Sequence, residues 1–153
     1  MSLYLVQHGK SLPKEVDPDQ GLSEQGILDA ERIAGVAAGY HVQVGSIIHS
    51  NKTRARQTAS VMSEHLTPGL SPGEAPGLGP NDDVEAFAQG LSPDNDLMVV
   101  GHLPFLSRLL SFLITGSTDS EIFRFQNGGI VCMDRQAEKD SWFIRWTLMP
   151  EIR

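Results

Sequence analysis

Short apolar runs alternate with longer amphipathic stretches along most of the chain. Residues 3–6 (LYLV) have the pattern of a buried strand, and residues 21–40 follow with apolar side chains at helical spacing. In this predicted helix, Ser23 is a candidate N-cap and Gly39 a C-terminal stop. The expected buried stripe consists of Ile27, Ala30, Ile33, Ala34 and Ala37. A second strand pattern, VGSIIHS, and a second helix pattern over residues 51–66 repeat this order, which predicts an α/β sheet with parallel strands.

The second half of the chain contains one irregular stretch and then regular patterns again. Eight of the fourteen residues in 67–80 are Gly or Pro, so we expect a surface loop there. A short helix pattern (NDDVEAFAQGL), a third apolar strand (NDLMVVGH) and an apolar helix (LPFLSRLLSFLITG) follow. The tail predicts two strands joined by a polar turn. Residues 1–153 are therefore interpreted as one three-layer α/β/α domain, with a mostly parallel sheet, helices on both faces and a C-terminal antiparallel strand pair.

Composition and charge narrow the classes of function. The formal charge of −7 argues against broad binding to nucleic acid, which normally needs a concentrated basic face. No apolar run reaches the roughly 20 residues that span a bilayer, and the N-terminus lacks the basic and apolar regions of a signal peptide. The single cysteine, Cys132, excludes an intrachain disulfide and is interpreted as a buried small apolar residue. We therefore expect a cytoplasmic protein that binds neither membrane nor nucleic acid.

Two histidines follow two of the predicted strands. His8 comes after the first strand and His102 after the third, each beside a glycine such as Gly9 that permits close approach of a ligand. Ligands of open α/β sheets bind outside the carboxyl ends of the strands, so both rings are expected at one rim. Ser50 and Arg54 lie where the second strand turns into its helix, and a helix N-terminus favours anions. Together these residues predict an oxyanion pocket, with phosphate as the expected ligand.

Each of these signals has a plainer interpretation. A single His-Gly pair is more often a loop histidine, and a short basic cluster is usually a solvated helix face. Ser50 fits a helix cap better than a nucleophile, because no Gly-x-Ser-x-Gly elbow surrounds it. His49 either lines the rim or lies in an exposed loop. The segment FQNGG either lends backbone donors to the pocket or only forms a turn. No close-spaced ligand pair occurs among the five histidines, so no metal site is expected.

A known family shows the same motifs in the same order. The HG after the first strand, GLSEQG at the first helix, SNKTRARQTA after the second strand and VVGHLP later resemble the histidine phosphatase superfamily, with its phosphoglycerate mutase-like fold. The short chain, without a helical insertion before the GH strand, is most similar to SixA-type protein phosphohistidine phosphatases. The resemblance implies that His8 attacks phosphorus, that Arg54 clamps the phosphate and that His102 contacts the phosphoryl oxygens. It implies no metal or cofactor.

One residue departs from the family pattern. Gln7 stands where the motif has arginine, and its amide can donate a hydrogen bond to substrate but brings no charge. Our hypothesis is that Lys10, two residues after His8 in the same loop, supplies the missing charge. Lys52 and Arg108 are the alternatives, and Lys10 is equally consistent with a solvated loop lysine.

The leaving group decides which substrate fits. Phosphohistidine protonated on its free ring nitrogen leaves as neutral imidazole, whereas an alkyl phosphate needs a strong general acid. Asp82, Asp83 and Glu85 are the acids in the corresponding region, and they equally fit a helix first turn. We therefore expect a phosphohistidine phosphatase whose partners are a phosphorylated protein and phosphate ion. The alternatives are a small-molecule phosphomonoesterase and a module that binds phosphorylated partners with little or no turnover.

Overall fold

The protein is represented by a computed structural model that describes residues 2–92 and 95–152. Six strands and four helices follow one another in the described residues. In chain order they are β1 (Ser2–Gln7), α1 (Glu24–Gly39), β2 (Ser46–His49), α2 (Thr53–Leu66), β3 (Gly73–Glu74), α3 (Val84–Gln89), β4 (Leu97–Gly101), α4 (Phe105–Thr115), β5 (Ile130–Gln136) and β6 (Ser141–Leu148).

All six strands form one sheet in the order β3-β2-β4-β1-β5-β6. The four strands from β3 to β1 are parallel, whereas β5 pairs antiparallel with β1 and β6 antiparallel with β5. The parallel part and the C-terminal antiparallel pair agree with the prediction. Because the four parallel strands point the same way, their carboxyl ends lie along one edge of the sheet, where the loops after β1, β2 and β4 meet.

Alternating side chains of the strands build two cores, one on each face. Tyr4 and Val6 point to the face covered by α1 and α2, where their neighbours include Ala30 and Met62. The intervening side chains of β1 point to the opposite face and pack with residues of α3 and α4. The sheet is therefore buried on both sides, and the predicted three-layer α/β/α arrangement is confirmed.

The predictions for Ser23, Gly39 and Cys132 are also confirmed. Ser23 is the N-cap of α1, where its hydroxyl accepts a hydrogen bond from the Gly26 N–H at 3.0 Å. Gly39 is the last residue of that helix, and Cys132 is buried in β5. In the two described ranges, no helix is both long and apolar enough to cross a membrane.

Two details differ from the sequence analysis. Residues 67–80 contain the two-residue strand β3 at the sheet edge, where loss of backbone donors to proline is tolerated best. Ile27, expected in the buried stripe, has 39% of its surface exposed, and Gly26 takes the buried place instead. A side chain at Gly26 would meet the Lys10 carbonyl oxygen at 2.1 Å, so this glycine lets the loop after β1 pack directly on α1.

Candidate active site

The loops after β1 and β4 bring His8 and His102 together. Gln7 and Gly101 are paired at the ends of these neighbouring parallel strands, and the His8 N–H donates to the Gly101 carbonyl at 3.0 Å. The two imidazole rings lie 5.0 Å apart between centroids and are inclined by 53°. The two histidines singled out in the sequence thus share one site at the carboxyl edge of the sheet.

The ring of His8 is held through one nitrogen. Its Nδ1 lies 2.8 Å from the carbonyl oxygen of Gly9. Because a carbonyl can only accept a hydrogen bond, Nδ1 carries the proton in this contact, and neutral His8 therefore has its lone pair on Nε2. Burial lowers the pKa of His8 below 6.5, the nearby Arg54 charge lowers it further, and the Gly9 contact acts in the opposite direction. At neutral pH His8 is therefore unprotonated at Nε2 and able to act as a nucleophile.

His102 is held in a different way and is more deeply buried. Only 2% of its surface is exposed, and its Nε2 lies 2.6 Å from the hydroxyl oxygen of Ser50. Burial lowers the pKa of His102 to about 4, and repulsion from His8, Arg54 and Lys52 adds to that effect. His102 is therefore neutral at physiological pH, and the bond to Ser50 fixes the plane of its ring.

The contact with His102 corrects the expectation that Ser50 caps a helix. The N-cap of α2 is Lys52, whose side chain makes no capping bond, and the Lys52 N–H reaches the Ser50 hydroxyl only at 3.4 Å. The first turn of α2 also holds no acidic residue. Its N-terminus therefore keeps the partial positive charge that attracts anions.

Arg54 extends this positive end of α2. It is half-buried, and its charge acts on both histidines. None of the ion pairs among residues 2–92 and 95–152 involves Arg54. A guanidinium that is engaged in none of these ion pairs and lies near two neutral imidazoles is suited to bind a phosphoryl group in bidentate fashion.

Thr58, which the sequence analysis did not single out, ties the parts of this site together. Its hydroxyl accepts from the Gly9 N–H at 2.9 Å and donates to the Arg54 carbonyl at 2.8 Å. The same contact changes the role expected of Gly9, since its N–H is already bound and cannot serve a ligand. A side chain at Gly9 would lie 3.1 Å from both the Gly26 carbonyl oxygen and Leu22, so these neighbours would have to shift by a few tenths of an ångström to admit it.

The segment FQNGG holds the loop after β1 from the other side. Asn127 Nδ2 donates to the His8 carbonyl at 2.9 Å, and the Gly128 N–H donates to the Gln7 carbonyl at 2.9 Å. Both donors bind the backbone of the loop after β1, whereas the two alternatives from the sequence were backbone donors to the pocket and a simple turn. The sequence singled out this segment but did not indicate that the Asn127 side chain contacts His8, which lies 119 positions earlier in the chain.

The two residues discussed for the missing charge lie in different surroundings. Gln7 is half-buried at the end of β1, and its Oε1 is buried without a donor among the described residues. The ammonium of Lys10 lies 3.3 Å from Glu151 and 4.0 Å from Asp29. Lys10 is thus engaged with carboxylates, and the structure does not bring its charge into the histidine pair.

The remaining candidates lie around this centre. His49 is buried, with its Nδ1 2.8 Å from the Ser50 carbonyl, so it is not the exposed loop histidine that was one alternative. Asp82 accepts from the Gly79 N–H at 2.7 Å, and Asp83 is the N-cap of α3. In the part of the chain that the structure describes, no group of three or more His, Cys, Asp or Glu side chains is placed to hold a metal ion.

A cavity of about 470 Å³ opens beside Ser50. Its wall continues through Asn51 and Lys52 to Glu74 at the end of β3 and then along residues 75–80 to Asp82. It lies next to the histidine pair, because Ser50 also contacts His102. The site can therefore hold an oxyanion at the two rings and Arg54, with room for an attached group on the β3 side.

Comparison with known proteins agrees with this geometry. The sequence profile of the histidine phosphatase superfamily (branch 1) matches residues 3–79, which is half of the chain. No curated protein sequence matches the chain significantly.

Solved structures with the same fold cover nearly the whole chain. The protein histidine phosphatase SixA complexed with tungstate has a TM-score of 0.83 at 24% identity, over 98% of this chain and 97% of that one. A putative phosphohistidine phosphatase SixA from Agrobacterium tumefaciens has a TM-score of 0.76 at 25% identity, over 97% of both chains. A putative alpha-ribazole-5'-P phosphatase from Escherichia coli K-12 has a TM-score of 0.77 at 20% identity, over 100% and 99%. These structures share the fold, and the profile match shows that this chain belongs to the histidine phosphatase superfamily (branch 1).

Proposed function

We propose that the protein is a phosphohistidine phosphatase that acts on a phosphorylated protein through a transient phosphohistidine on His8. Family membership supports phosphatase activity. The observation that carries the role of His8 is the contact of its Nδ1 with the Gly9 carbonyl, which leaves Nε2 to attack phosphorus. Arg54 and neutral His102 are the groups proposed to bind the phosphoryl oxygens during transfer.

The reaction proceeds in two displacements. His8 Nε2 attacks the phosphorus of the substrate phosphohistidine, the bond from phosphorus to the substrate ring breaks, and that ring leaves as neutral imidazole if its other nitrogen was protonated. Water then attacks the phosphorus on His8 and the bond to Nε2 breaks, which returns neutral His8. Phosphate is released with the water oxygen and its two protons, one of which can pass to solvent. Neither step needs a metal ion, because the transferred charge is stabilised by the cations and donors of the pocket.

The contacts of two candidate acids, Asp82 and Asp83, favour phosphohistidine over an alkyl phosphate. Asp82 and Asp83 both bind backbone N–H groups, so they serve the local structure of the β3–α3 connection. An alkoxide leaving group needs a positioned acid, whereas imidazole does not. Two SixA phosphatases among the solved structures support the same substrate class.

A substrate panel tests this assignment. Phosphohistidine peptide, p-nitrophenyl phosphate and a sugar or alkyl phosphate are compared as kcat/KM at the same pH and salt. We expect turnover of the phosphohistidine peptide and of p-nitrophenyl phosphate, whose leaving group needs no acid, and little turnover of the alkyl ester. Preferred hydrolysis of the alkyl phosphate identifies a small-molecule phosphomonoesterase instead. Phosphate binding without turnover of any substrate identifies a binding module.

A further inference from the structure

Gln7 stands where the family motif has an arginine, so the proposed phosphate site has one cation fewer than that motif supplies. Gln7 brings no charge, and its buried Oε1 accepts no hydrogen bond from the described residues. An amide donor makes a hydrogen bond about half as strong as a charged one. A site built to transfer a doubly charged phosphoryl group therefore has reason to recruit a cation from elsewhere.

Lys52 is the cation whose position meets this need. It is the N-cap of α2, two residues after Ser50 and two before Arg54, and its exposed side chain makes no capping bond. No ion pair among the described residues engages Lys52, whereas Lys10 lies within 4.0 Å of two carboxylates. The Lys52 ammonium is thus available where the Lys10 ammonium is not.

The placement of Lys52 points toward the reacting groups. Lys52 and Ser50 line the same cavity, and the Ser50 hydroxyl is bonded to His102. The charge of Lys52 is also among those that act on the buried His102 ring. A lysine carries a compact charge on a flexible four-carbon stem, so it can reach a phosphoryl oxygen from the side of the cavity.

We propose that Lys52 binds the phosphoryl group of the substrate and so replaces the charge of the arginine that is absent at position 7. The proposal rests on the proposed function because it takes a phosphorylated substrate as the ligand, but binding of inorganic phosphate tests it without turnover. Lys52 acts as a substrate-binding residue, and the nucleophile remains His8.

The test compares Lys52→Gln with Arg56→Gln. Both variants remove one positive charge from an exposed side chain near the start of α2, and Arg56, like Lys52, is engaged in none of the ion pairs among the described residues. We expect Lys52→Gln to weaken binding of inorganic phosphate roughly tenfold, a typical loss for a bond to a charged group at a partly exposed site. Arg56→Gln should change it less than twofold, and Lys52→Arg should retain most of the affinity. Titration calorimetry measures all three.

A second comparison asks whether Lys52 takes the place of the missing arginine. In Gln7→Arg, the further change Lys52→Gln should cost about threefold or less, because a guanidinium then supplies the charge and the two effects are coupled. Thermal unfolding followed by circular dichroism establishes that each variant is folded. If Lys52→Gln fails to fold, Lys52→Met takes its place with the same expectation.

The two proposals fail in distinguishable ways. Equal phosphate affinities of Lys52→Gln and Arg56→Gln overturn the role of Lys52, even if wild type hydrolyses the phosphohistidine peptide. Selective loss of phosphate binding in Lys52→Gln supports that role, even if no substrate is turned over and the proposed function is wrong. Equal losses by Lys52→Gln in the wild-type and Gln7→Arg backgrounds show that Lys52 does not substitute for the arginine.

Discussion

His8 and His102 end neighbouring strands and lie 5.0 Å apart, yet they are prepared for different tasks. His8 is half-buried and bound through Nδ1 to a backbone carbonyl, which leaves Nε2 as the nitrogen with the lone pair. His102 is almost completely buried and bound through Nε2 to Ser50. We propose that the ring nitrogen already engaged decides the role, so that His8 is the nucleophile and His102 a fixed neighbour of the phosphoryl group.

The largest effect is expected for substitution of His8, and a second histidine with the same local contact provides the control. His49 also places Nδ1 2.8 Å from the carbonyl of the next residue, but at the end of β2. Asparagine can keep a donor near Nδ1 while removing Nε2, so we compare His8→Asn with His49→Asn. His8→Asn should lower kcat/KM by roughly 10⁴-fold or more, as loss of a nucleophile does in other enzymes. His49→Asn should retain activity in proportion to its folded fraction, and similar losses in both variants would remove the distinction.

The next effect concerns the guanidinium beside both rings. Arg54→Gln should lower kcat/KM for the phosphohistidine peptide by ~30- to 200-fold, which corresponds to about 2–3 kcal/mol of transition-state stabilisation. Arg56→Gln serves as the control for net charge, because Arg56 is exposed on the same helix. Steady-state rates at two salt concentrations check the result. A loss in Arg54→Gln no larger than that in Arg56→Gln would place Arg54 outside the site.

The pH dependence of turnover sharpens the comparison between the rings. Burial and then Arg54 lower the pKa of His8, so kcat/KM should fall on the acid side with a midpoint below 6.5. Removing a nearby positive charge makes protonation easier, so Arg54→Gln should move that midpoint to higher pH. The wild-type protein and Arg54→Gln are measured with the same substrate. Ionisation of the substrate therefore affects both pH profiles equally and cancels when one profile is divided by the other. An unchanged or lowered midpoint in Arg54→Gln would contradict the electrostatic account of His8.

The smallest effect tests how His102 is held. Ser50→Ala removes the hydroxyl at 2.6 Å and leaves the buried Nε2 without that partner. We expect kcat to fall roughly five- to tenfold, in line with about 1–1.5 kcal/mol for one hydrogen bond, with a measurable loss of stability to urea. Ser50→Thr keeps a hydroxyl and should lose less activity. If alanine and threonine have full activity, the ring of His102 needs no support from Ser50.

The fold was predictable because its signals are local and repeated. Short apolar strands, amphipathic helices and the cap at Ser23 each express a period or a capping preference that the sequence shows directly. The positions of His8 and His102 followed from the rule that loops after parallel strands meet at one edge. The misplacement of Ile27 had a tertiary cause, since Gly26 was needed for contact with the loop after β1.

The fine structure of the site depended on contacts between distant segments. Thr58 joins the Gly9 N–H to the first turn of α2, and Asn127 reaches the His8 backbone from the other end of the chain. Lys52 was preferred over Lys10 because the Lys10 ammonium lies beside the carboxylates of Asp29 and Glu151. No short sequence motif indicates that these carboxylates are its neighbours. Sequence reasoning singled out His8, His102 and Arg54 as candidates but could not identify the side chains that hold them.

Trapping of the phosphorylated intermediate tests the central claim most directly. Wild-type protein is mixed rapidly with radiolabelled phosphohistidine peptide, quenched in alkali, which preserves phosphohistidine, and mapped by mass spectrometry. The account predicts transient label on His8, labile to acid and absent from His8→Asn. Label on another residue, or turnover of the peptide with no labelled protein at any time, would contradict the assignment of His8 as the nucleophile.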